Sequence, residues 1–425
     1  MKLPGHVGLG HVRYTTSGGT DGESLVKSTA PILEHEGKTT IALSFNGNIV
    51  NVPEIIRKIR EKSPNFQFDF DAQLISRKIL SGLAERRDLA LSVKSCMKEM
   101  EGAFSVAGIT QEGELFAFKD QCGIRPLCCG LSEDRKILTV CSETVGLDVN
   151  GFEFDFELNP GELVVASEDG FAREQLVDCG RRALCAFEFA YFSRPDSMLG
   201  NKFVYEVREE FGRNLAREYP DTVRNSDIII SMPETGNDAA FGLHELTGKR
   251  WERASRRHRY VTERAFILLP KERYTTIDRK INIIDHKISG KNVAVVDDSI
   301  VRGDTTRVVV KKLRKMGAKK VYLLITFPRI MGPCFYGVDM ATYGELIGSR
   351  YETEEIAEIV GADAVKYQSI DGLVKATGLS RNELCLGCIT GKYPTPMAQR
   401  LADEMKERFE NGYEEKGRIY EVAIH

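Results

Sequence analysis

Residues 293–306 read VAVVDDSIVRGDTT. Val293 to Val296 are apolar without alternation, the pattern of a strand buried on both faces of a parallel sheet. Two acids, Asp297 and Asp298, end that strand, and a turn carrying Gly303 among small polar residues follows. The next stretch, TTRVVVKKLRKMGAKK, has helical periodicity and a stop signal in Gly317. Strand, loop and helix in that order put the loop at the carboxyl end of the strand, where open α/β sheets bind ligands. N–H groups at the start of the helix favour an anion. Two carboxylates cannot take a phosphate directly. They accept from sugar hydroxyls, or hold a cation that itself meets phosphate. Together these features predict a ligand with both a sugar and a phosphate. The competing reading is an ordinary strand-end turn with solvated acids.

The chain of 425 residues is long enough for two domains with sizeable cores. Its 42% hydrophobic and 28% charged content is a soluble globular balance, and a net charge of -3 calls for no nucleic acid partner. No run of 18 apolar residues predicts a membrane span, and the opening MKLPGHVGLGHVRY lacks the apolar core of a signal peptide. The expected location is therefore the cytoplasm. There, ten cysteines point to free thiols and metal ligation before disulfides. Cys96, Cys122, Cys128, Cys129, Cys141 and Cys179 have no recognisable metal spacing and are expected as small core residues.

Up to about residue 180, hairpin-like strands (TTIALSFNGNIV, GAFSVAGITQEGELFAFKD) accompany helical segments such as VPEIIRKIREK, predicting a layered α+β domain. From 181 to about 375, apolar strands alternate with helices, which predicts a parallel sheet and an α/β domain. Residues 376–425 hold a CLGC turn and a charged helix, AQRLADEMKERFENG, read as a surface or packing element.

VVDDSIVRGDTT resembles the phosphoribosyl pyrophosphate (PRPP) signature of type I phosphoribosyltransferases. More narrowly, DDSIVRG is similar to the glutamine PRPP amidotransferase family, which opens purine synthesis. GLGHVRYTTSG (8–18), GIRPL (123–127), CAFEFAYFSRPDS (185–197), SMPETGNDAAFG (231–242), CFYGVDM (334–340) and LCLGCITGKYPTP (384–396) resemble the same family in the same order. The resemblance implies an N-terminal-nucleophile, glutaminase-like layered domain over 1–180, incomplete here, then a type I phosphoribosyltransferase domain over 181–375. It further implies that Asp297 and Asp298 meet the ribose diol and its Mg2+. Ser299, Arg302, Gly303, Thr305 and Thr306 would surround the 5'-phosphate, and Glu234 and Gly236 would line the pyrophosphate side. Arg257, Arg259 and Arg264 would be clamps on a mobile lid, where His258 and the TER run depart from the family pattern. Asp304 departs too: a carboxylate beside a phosphate adds like charge.

The family's glutaminase uses an N-terminal cysteine whose own α-amine is the base. This sequence begins MKLPG, and its first cysteine is Cys96. Arg13 matches the arginine that holds the glutamine carboxylate, Asn46 and Gly47 match the oxyanion pair, and Asp71 matches the acid that grips the amine. Phe45 stands where a histidine is usual, and Phe70 and Gln73 replace members of a polar run. A shortened N-terminus and a natural loss of the glutaminase both fit these departures. Either way no securely assignable catalytic nucleophile is present, and ammonia is the expected nitrogen donor.

Cys385 and Cys388 form a C-x-x-C pair, which alone suits a redox dithiol or half a zinc site. With Cys185 and Cys334 they occupy the places that bind [4Fe–4S] in the cluster-bearing branch of the resembled family. Structural zinc takes the same four thiolates. The expected function is an amidophosphoribosyltransferase forming 5-phosphoribosylamine and pyrophosphate from PRPP with glutamine or ammonia. Purine nucleotide effectors are expected, as is a homo-oligomer or pairing with a complete homologue. The alternatives are a non-catalytic regulatory paralogue that binds PRPP or a nucleotide, and a purine-salvage phosphoribosyltransferase.

Overall fold

The computed structural model describes residues 5–12, 29–178, 180–258, 279–413, 415 and 417. Strands β1 (Ile32–Glu36) and β2 (Thr39–Ile49) form a hairpin, and helices α1 (Val52–Lys62), α2 (Asp71–Arg86) and α3 (Leu89–Glu99) follow. Next come β3 (Gly102–Thr110), β4 (Leu115–Lys119), β5 (Cys128–Leu131), β6 (Leu138–Cys141), β7 (Glu153–Glu157), β8 (Glu162–Ser167) and β9 (Gly170–Gln175). An antiparallel sheet runs β1-β2-β3-β4-β8-β9, and a smaller one runs β6-β5-β7. The α2 helix buries Leu74, Ile75, Ile79 and Leu80, an apolar stripe at helical spacing. The long β2–β3 pairing sets Asn46 opposite Ser105 and Gly47 opposite Phe104. A Cβ at Gly47 would lie 1.9 Å from the Ala103 carbonyl oxygen, so the close strand approach there requires glycine.

The second half begins with β10 (Leu184–Cys185) and a π-helical turn, Glu188–Phe192, in which the Ser193 N–H donates to the Glu188 carbonyl at 3.0 Å. Helix α4 (Val204–Glu218), β11 (Ile228–Ser231), α5 (Gly236–Thr247), β12 (Ser255–Arg257) and β13 (Ile281–Ile283) follow. Then come β14 (Asn292–Asp297), α6 (Asp304–Lys315), β15 (Lys320–Ile325), α7 (Thr353–Val360) and β16 (Ala364–Tyr367). The parallel sheet has the order β11-β14-β15-β16. The expected α+β and α/β halves are thus both present. Helices α4 and α5 touch almost backbone to backbone. A Cβ on Gly212 would fall 1.8 Å from the Ala239 carbonyl oxygen, and one on Gly242 2.0 Å from that of Glu209.

After α8 (Ile370–Thr377), strand β17 (Leu384–Cys385) pairs in parallel with β10, and α9 (Pro396–Glu410) buries Ala398, Leu401, Ala402 and Met405. The Met397 N–H donates to Glu101 at 2.8 Å. One apolar cluster includes Ile41, Phe104, Phe187, Phe327, Tyr336 and Met405, so it runs through both halves and the C-terminal segment. No described helix is long and apolar enough to cross a membrane.

Candidate functional site

The acid pair lies where the strand-loop-helix pattern puts it. Asp297 ends β14, the Asp298 N–H donates to Asp297 Oδ1 at 2.9 Å, and the N–H groups of Thr326 and Phe327 hold the carbonyls of Asp297 and Asp298. The Asp298 carboxylate accepts from Thr235 Oγ1 and Ser299 Oγ, each at 2.6 Å. Burial pushes both carboxyls upward, and Asp298 adds to the rise at Asp297. Two adjoining carboxyls, one buried and one partly so, suit a cation or a set of hydroxyl donors.

The neighbouring loop is brought alongside by the Met232 N–H, which donates to the Val296 carbonyl at 2.9 Å. Gly236 opens α5 against the end of β14, where a Cβ would meet the Val296 carbonyl oxygen at 2.5 Å. Glu234 and Arg257 are exposed and line the same cleft. Gly303 caps α6 with a φ of 81°, which favours glycine. Asp304 is the first residue of α6, where the helix dipole accommodates a carboxylate, and Thr305 and Thr306 follow it along the cleft wall. Arg302 turns to protein partners: its Nε donates to Glu345 at 2.7 Å, and Nη2 lies 3.7 Å from Asp339. Arg13, Arg259, Arg264 and Cys179 lie outside the described residues.

The same cleft, about 2790 Å3 in volume, reaches Asn46, Gly47, Phe45, Phe70 and Asp71 at its other end. Asp71 opens α2 and accepts from the Ile49 N–H at 2.7 Å, which ties it to β2 beside Asn46 and Gly47. Gln73 caps that helix start, its Oε1 accepting from the Asp69 N–H at 2.9 Å. Described members of both groups of site residues inferred from sequence, Glu234, Arg257, Asp297 and Asp298 on one side and Asn46, Gly47 and Asp71 on the other, therefore line one cavity.

The wall between them holds polar residues that the motif reading passed over. Arg125 and Glu188 form a buried ion pair at 2.7 Å, each side chain 6% exposed. Arg125 Nε donates to the Tyr336 carbonyl at 3.0 Å, and Ser193 Oγ donates to the second Glu188 oxygen at 3.0 Å. Arg208 donates to the carbonyls of Phe189 at 2.8 Å and Ser193 at 2.6 Å. The available signal was a lone acid inside the apolar run CAFEFAYF, which must find a partner when buried.

Cys185 and Cys385 are register neighbours on β10 and β17. The N–H groups of Met331 and Gly332 donate to the Cys388 carbonyl, which brings the loop approaching Cys334 alongside. Burial pushes the Cys185 thiol up to about 12. Burial first, and then Cys334, Cys385 and Cys185, hold Cys388 well above the usual thiol range. The charges of Cys334, Cys385 and Cys185 thus all act on Cys388. Among the described residues, no three metal-ligating side chains gather at the spacing of a single bound ion.

A layered glutaminase-like half, a parallel-sheet half with an acid pair at its strand end, and one cleft between them define a phosphoribosyltransferase joined to an amidotransferase domain. A family described as glutamine amidotransferase domain matches residues 23–148. The amidophosphoribosyltransferase of Methanocaldococcus jannaschii is 36% identical over 93% of this chain and 84% of its own length. That of Bacillus subtilis is 35% identical over 94% and 82%. Among solved structures, glutamine PRPP amidotransferase from B. subtilis complexed with ADP and GMP superposes with a TM-score of 0.81. It has 34% identity and covers 91% of this chain and 83% of that one. The chain belongs to the amidophosphoribosyltransferase family. Its fold is accordingly the N-terminal-nucleophile glutaminase fold followed by a phosphoribosyltransferase fold.

Proposed function

We propose that this chain forms 5-phosphoribosylamine and pyrophosphate from PRPP, the first step of purine synthesis, with ammonia as its nitrogen donor. The observation that carries the reading is the Asp297–Asp298 pair at the end of β14, Asp298 buried and Asp297 partly so, beside the start of α6. In this reading residues 1–180 are the glutaminase-like domain, 181–375 the phosphoribosyltransferase domain, and 376–425 a segment that locks the two together.

Asp297 and Asp298 take the ribose hydroxyls. Ser299, Gly303, Thr305 and Thr306 surround the 5'-phosphate, with N–H groups at the start of α6 favouring the anion. Glu234 and Gly236 border the departing pyrophosphate, and Arg257, with Arg259 and Arg264, supplies guanidinium donors to it. Arg302 serves by holding the loop to Glu345 rather than by touching ligand. The carboxyl pair fits Mg2+, which supplies charge neutralisation for the leaving pyrophosphate. The protein's part is to position PRPP, exclude water and present the anomeric carbon to the attacking amine.

Ammonia is favoured over glutamine by Phe45 and Phe70. While packing on the apolar core, both border the cleft beside Asn46 and Asp71, where a glutamine substrate needs polar partners. The four-cysteine set fits an iron–sulfur cubane better than one zinc ion, because a cubane spreads its thiolates over separate iron atoms. Such a group would fasten β10, β17 and the 334–340 loop together. Purine nucleotides, which share the ribose phosphate of PRPP, are the expected effectors, and assembly into a homo-oligomer is expected. Pyrophosphate release from PRPP in the presence of Mg2+ and ammonia tests the reading. Retained PRPP binding without turnover with either nitrogen donor would favour a regulatory role instead.

A further inference from the structure

Glu345, the carboxylate that claims Arg302, is itself held by backbone. Its Oε1 accepts from the N–H groups of Ala341 and Thr342, the latter at 3.0 Å, while Oε2 accepts from Arg302 Nε at 2.7 Å and from Nη2. The next two N–H groups, those of Tyr343 and Gly344, donate to the two carboxylate oxygens of Glu415 at 3.0 and 2.6 Å. Four successive N–H groups thus end on two carboxylates, one within the turn and one from the segment after α9. Successive N–H groups in a turn form a concave donor set that favours an anion. Glu415 lies close over this backbone: a Cβ on Gly344 would meet its Oε2 at 3.1 Å.

The same turn carries the loop that precedes α6. The Ile347 N–H donates to the Val301 carbonyl at 3.0 Å, and a Cβ on Gly303 would meet Ile347 Cδ1 at 3.0 Å. Arg302 Nη2 adds a bond to the Asp339 carbonyl at 3.4 Å. Val301, Arg302 and Gly303 therefore all rest on residues 339–347. On its other side the turn meets α9. The Tyr343 ring stacks on Phe409 with centroids 5.8 Å apart, and its hydroxyl donates to the Ala402 carbonyl at 3.4 Å. A path of direct contacts runs from Glu415 through Tyr343–Gly344 and Glu345 to Arg302.

We propose that Glu415 is a positioning residue for the 5'-phosphate loop: it fixes the 341–344 turn, so that Glu345 grips Arg302 and the loop from Ser299 to Thr306 is set before substrate arrives. This rests on the reading of the chain as a PRPP enzyme. Glu415 touches neither substrate nor reacting atoms. Without its carboxylate, the Tyr343 and Gly344 N–H groups must find water instead, and the turn is free to rotate. Glu345 follows it directly in sequence, and its hold on the guanidinium depends on orientation. A loop no longer held in its binding shape must be ordered at the moment of binding, which weakens the ligand. The loss falls on the 5'-phosphate alone, because the pyrophosphate side is built from the loop before α5, which is tied to β14 by other bonds.

That selectivity is the test. Calorimetry with Mg2+ measures the affinity of ribose 5-phosphate, which keeps the 5'-phosphate, and of inorganic pyrophosphate, which lacks it. Steady-state pyrophosphate release gives KM for PRPP and kcat. In Glu415→Ala, the Kd of ribose 5-phosphate and the KM for PRPP should each rise at least about fivefold, the scale of one net hydrogen bond. The pyrophosphate Kd and kcat should stay within about twofold of wild type, inside the range of a single weak hydrogen bond. Glu404→Ala, an exposed change on α9, should match the wild type throughout. Unchanged ribose 5-phosphate affinity in Glu415→Ala would overturn the proposal. Equal weakening of both ligands would overturn it too, since it would mark a general loosening of the cleft. Should Glu415→Ala not fold, Glu345→Gln carries the test. It keeps the side-chain shape and removes the charge that holds Arg302, and the same selective loss is expected; unchanged ribose 5-phosphate affinity would again overturn the assignment. A wild-type protein that neither binds ribose 5-phosphate nor releases pyrophosphate would instead refute the underlying functional reading.

Discussion

Thr235 Oγ1 donates to Asp298 Oδ1 at 2.6 Å, and so fastens the loop before α5 to the acid that follows β14. The bond makes one rigid edge of two loops that sequence reading assigns to opposite ends of the substrate. Asp298→Asn should weaken PRPP binding by about 1.5–3 kcal/mol, the scale of a hydrogen bond to a charged group. Thr235→Val keeps the shape and removes only the donor, and should cost about 1 kcal/mol. Isothermal calorimetry with PRPP and Mg2+ measures both, and unchanged affinity in Asp298→Asn would remove that residue from the site.

The Arg125–Glu188 pair in the cleft wall predicts a stability effect that needs no ligand. Each charge is almost wholly buried, and truncating one leaves the other without compensation. Glu188→Ala should therefore lower unfolding stability by about 3–5 kcal/mol in denaturant titrations. A loss below about 1 kcal/mol, the scale of an exposed pair, would show that water reaches the site.

The contact between α4 and α5 leaves no room for a methyl group at Gly212. Gly212→Ala should push the helices apart and destabilise the fold by about 1–3 kcal/mol, although alanine is the better helix former. Thermal unfolding that rises instead would mean that the helices can separate at no cost.

Asp238 supplies a pH dependence with a definite sign. Burial raises its pKa from 3.8 to about 6, against the opposing pull of Arg208. The folded protein thus holds this proton more tightly than the unfolded chain does, so the group's contribution to stability is full below pH 4 and is lost as pH rises through 6. Asp238→Asn should match the wild type in stability near pH 4 and exceed it increasingly from pH 5 to 7. A constant difference across that range would assign the effect to packing.

The cysteine set gives a compositional test independent of activity. Anaerobically purified protein should contain about four iron and four sulfide per chain. Cys388→Ser should loosen the segment after residue 375, visible as faster proteolysis there, because metal ligation contributes folding energy. Stoichiometric zinc without iron would replace the cluster by a structural metal site.

Much of this architecture was legible because its signals are local. The apolar run ending in Asp297–Asp298 marks a buried strand meeting a helix start. SMPETGNDAAFG likewise marks a strand, a loop and a glycine-led helix, and the structure has β11 and α5 there. What stayed hidden depends on pairs distant in sequence. Arg125 finds Glu188, Arg302 finds Glu345, and Arg208 reaches back to a turn whose geometry no local pattern announces. Arg302 shows the limit well: its place in a phosphate-loop motif suggested a ligand contact, whereas the nearby carboxylate of Glu345 claims its guanidinium. The shared core had the same character, since Leu184–Cys185 and Leu384–Cys385 pair across two hundred residues that sequence reading divides into separate units.

The most direct test of the central claim follows nitrogen into product. Purified protein is incubated with PRPP and Mg2+ and supplied with either 15N-ammonium or glutamine labelled at its amide nitrogen, and phosphoribosylamine is detected by NMR. The account predicts labelled product with ammonium, rising in rate above neutral pH as free amine increases, and none from glutamine. Product labelled from glutamine would contradict the assignment of the nitrogen source, and absence of product with both donors would contradict the catalytic reading itself.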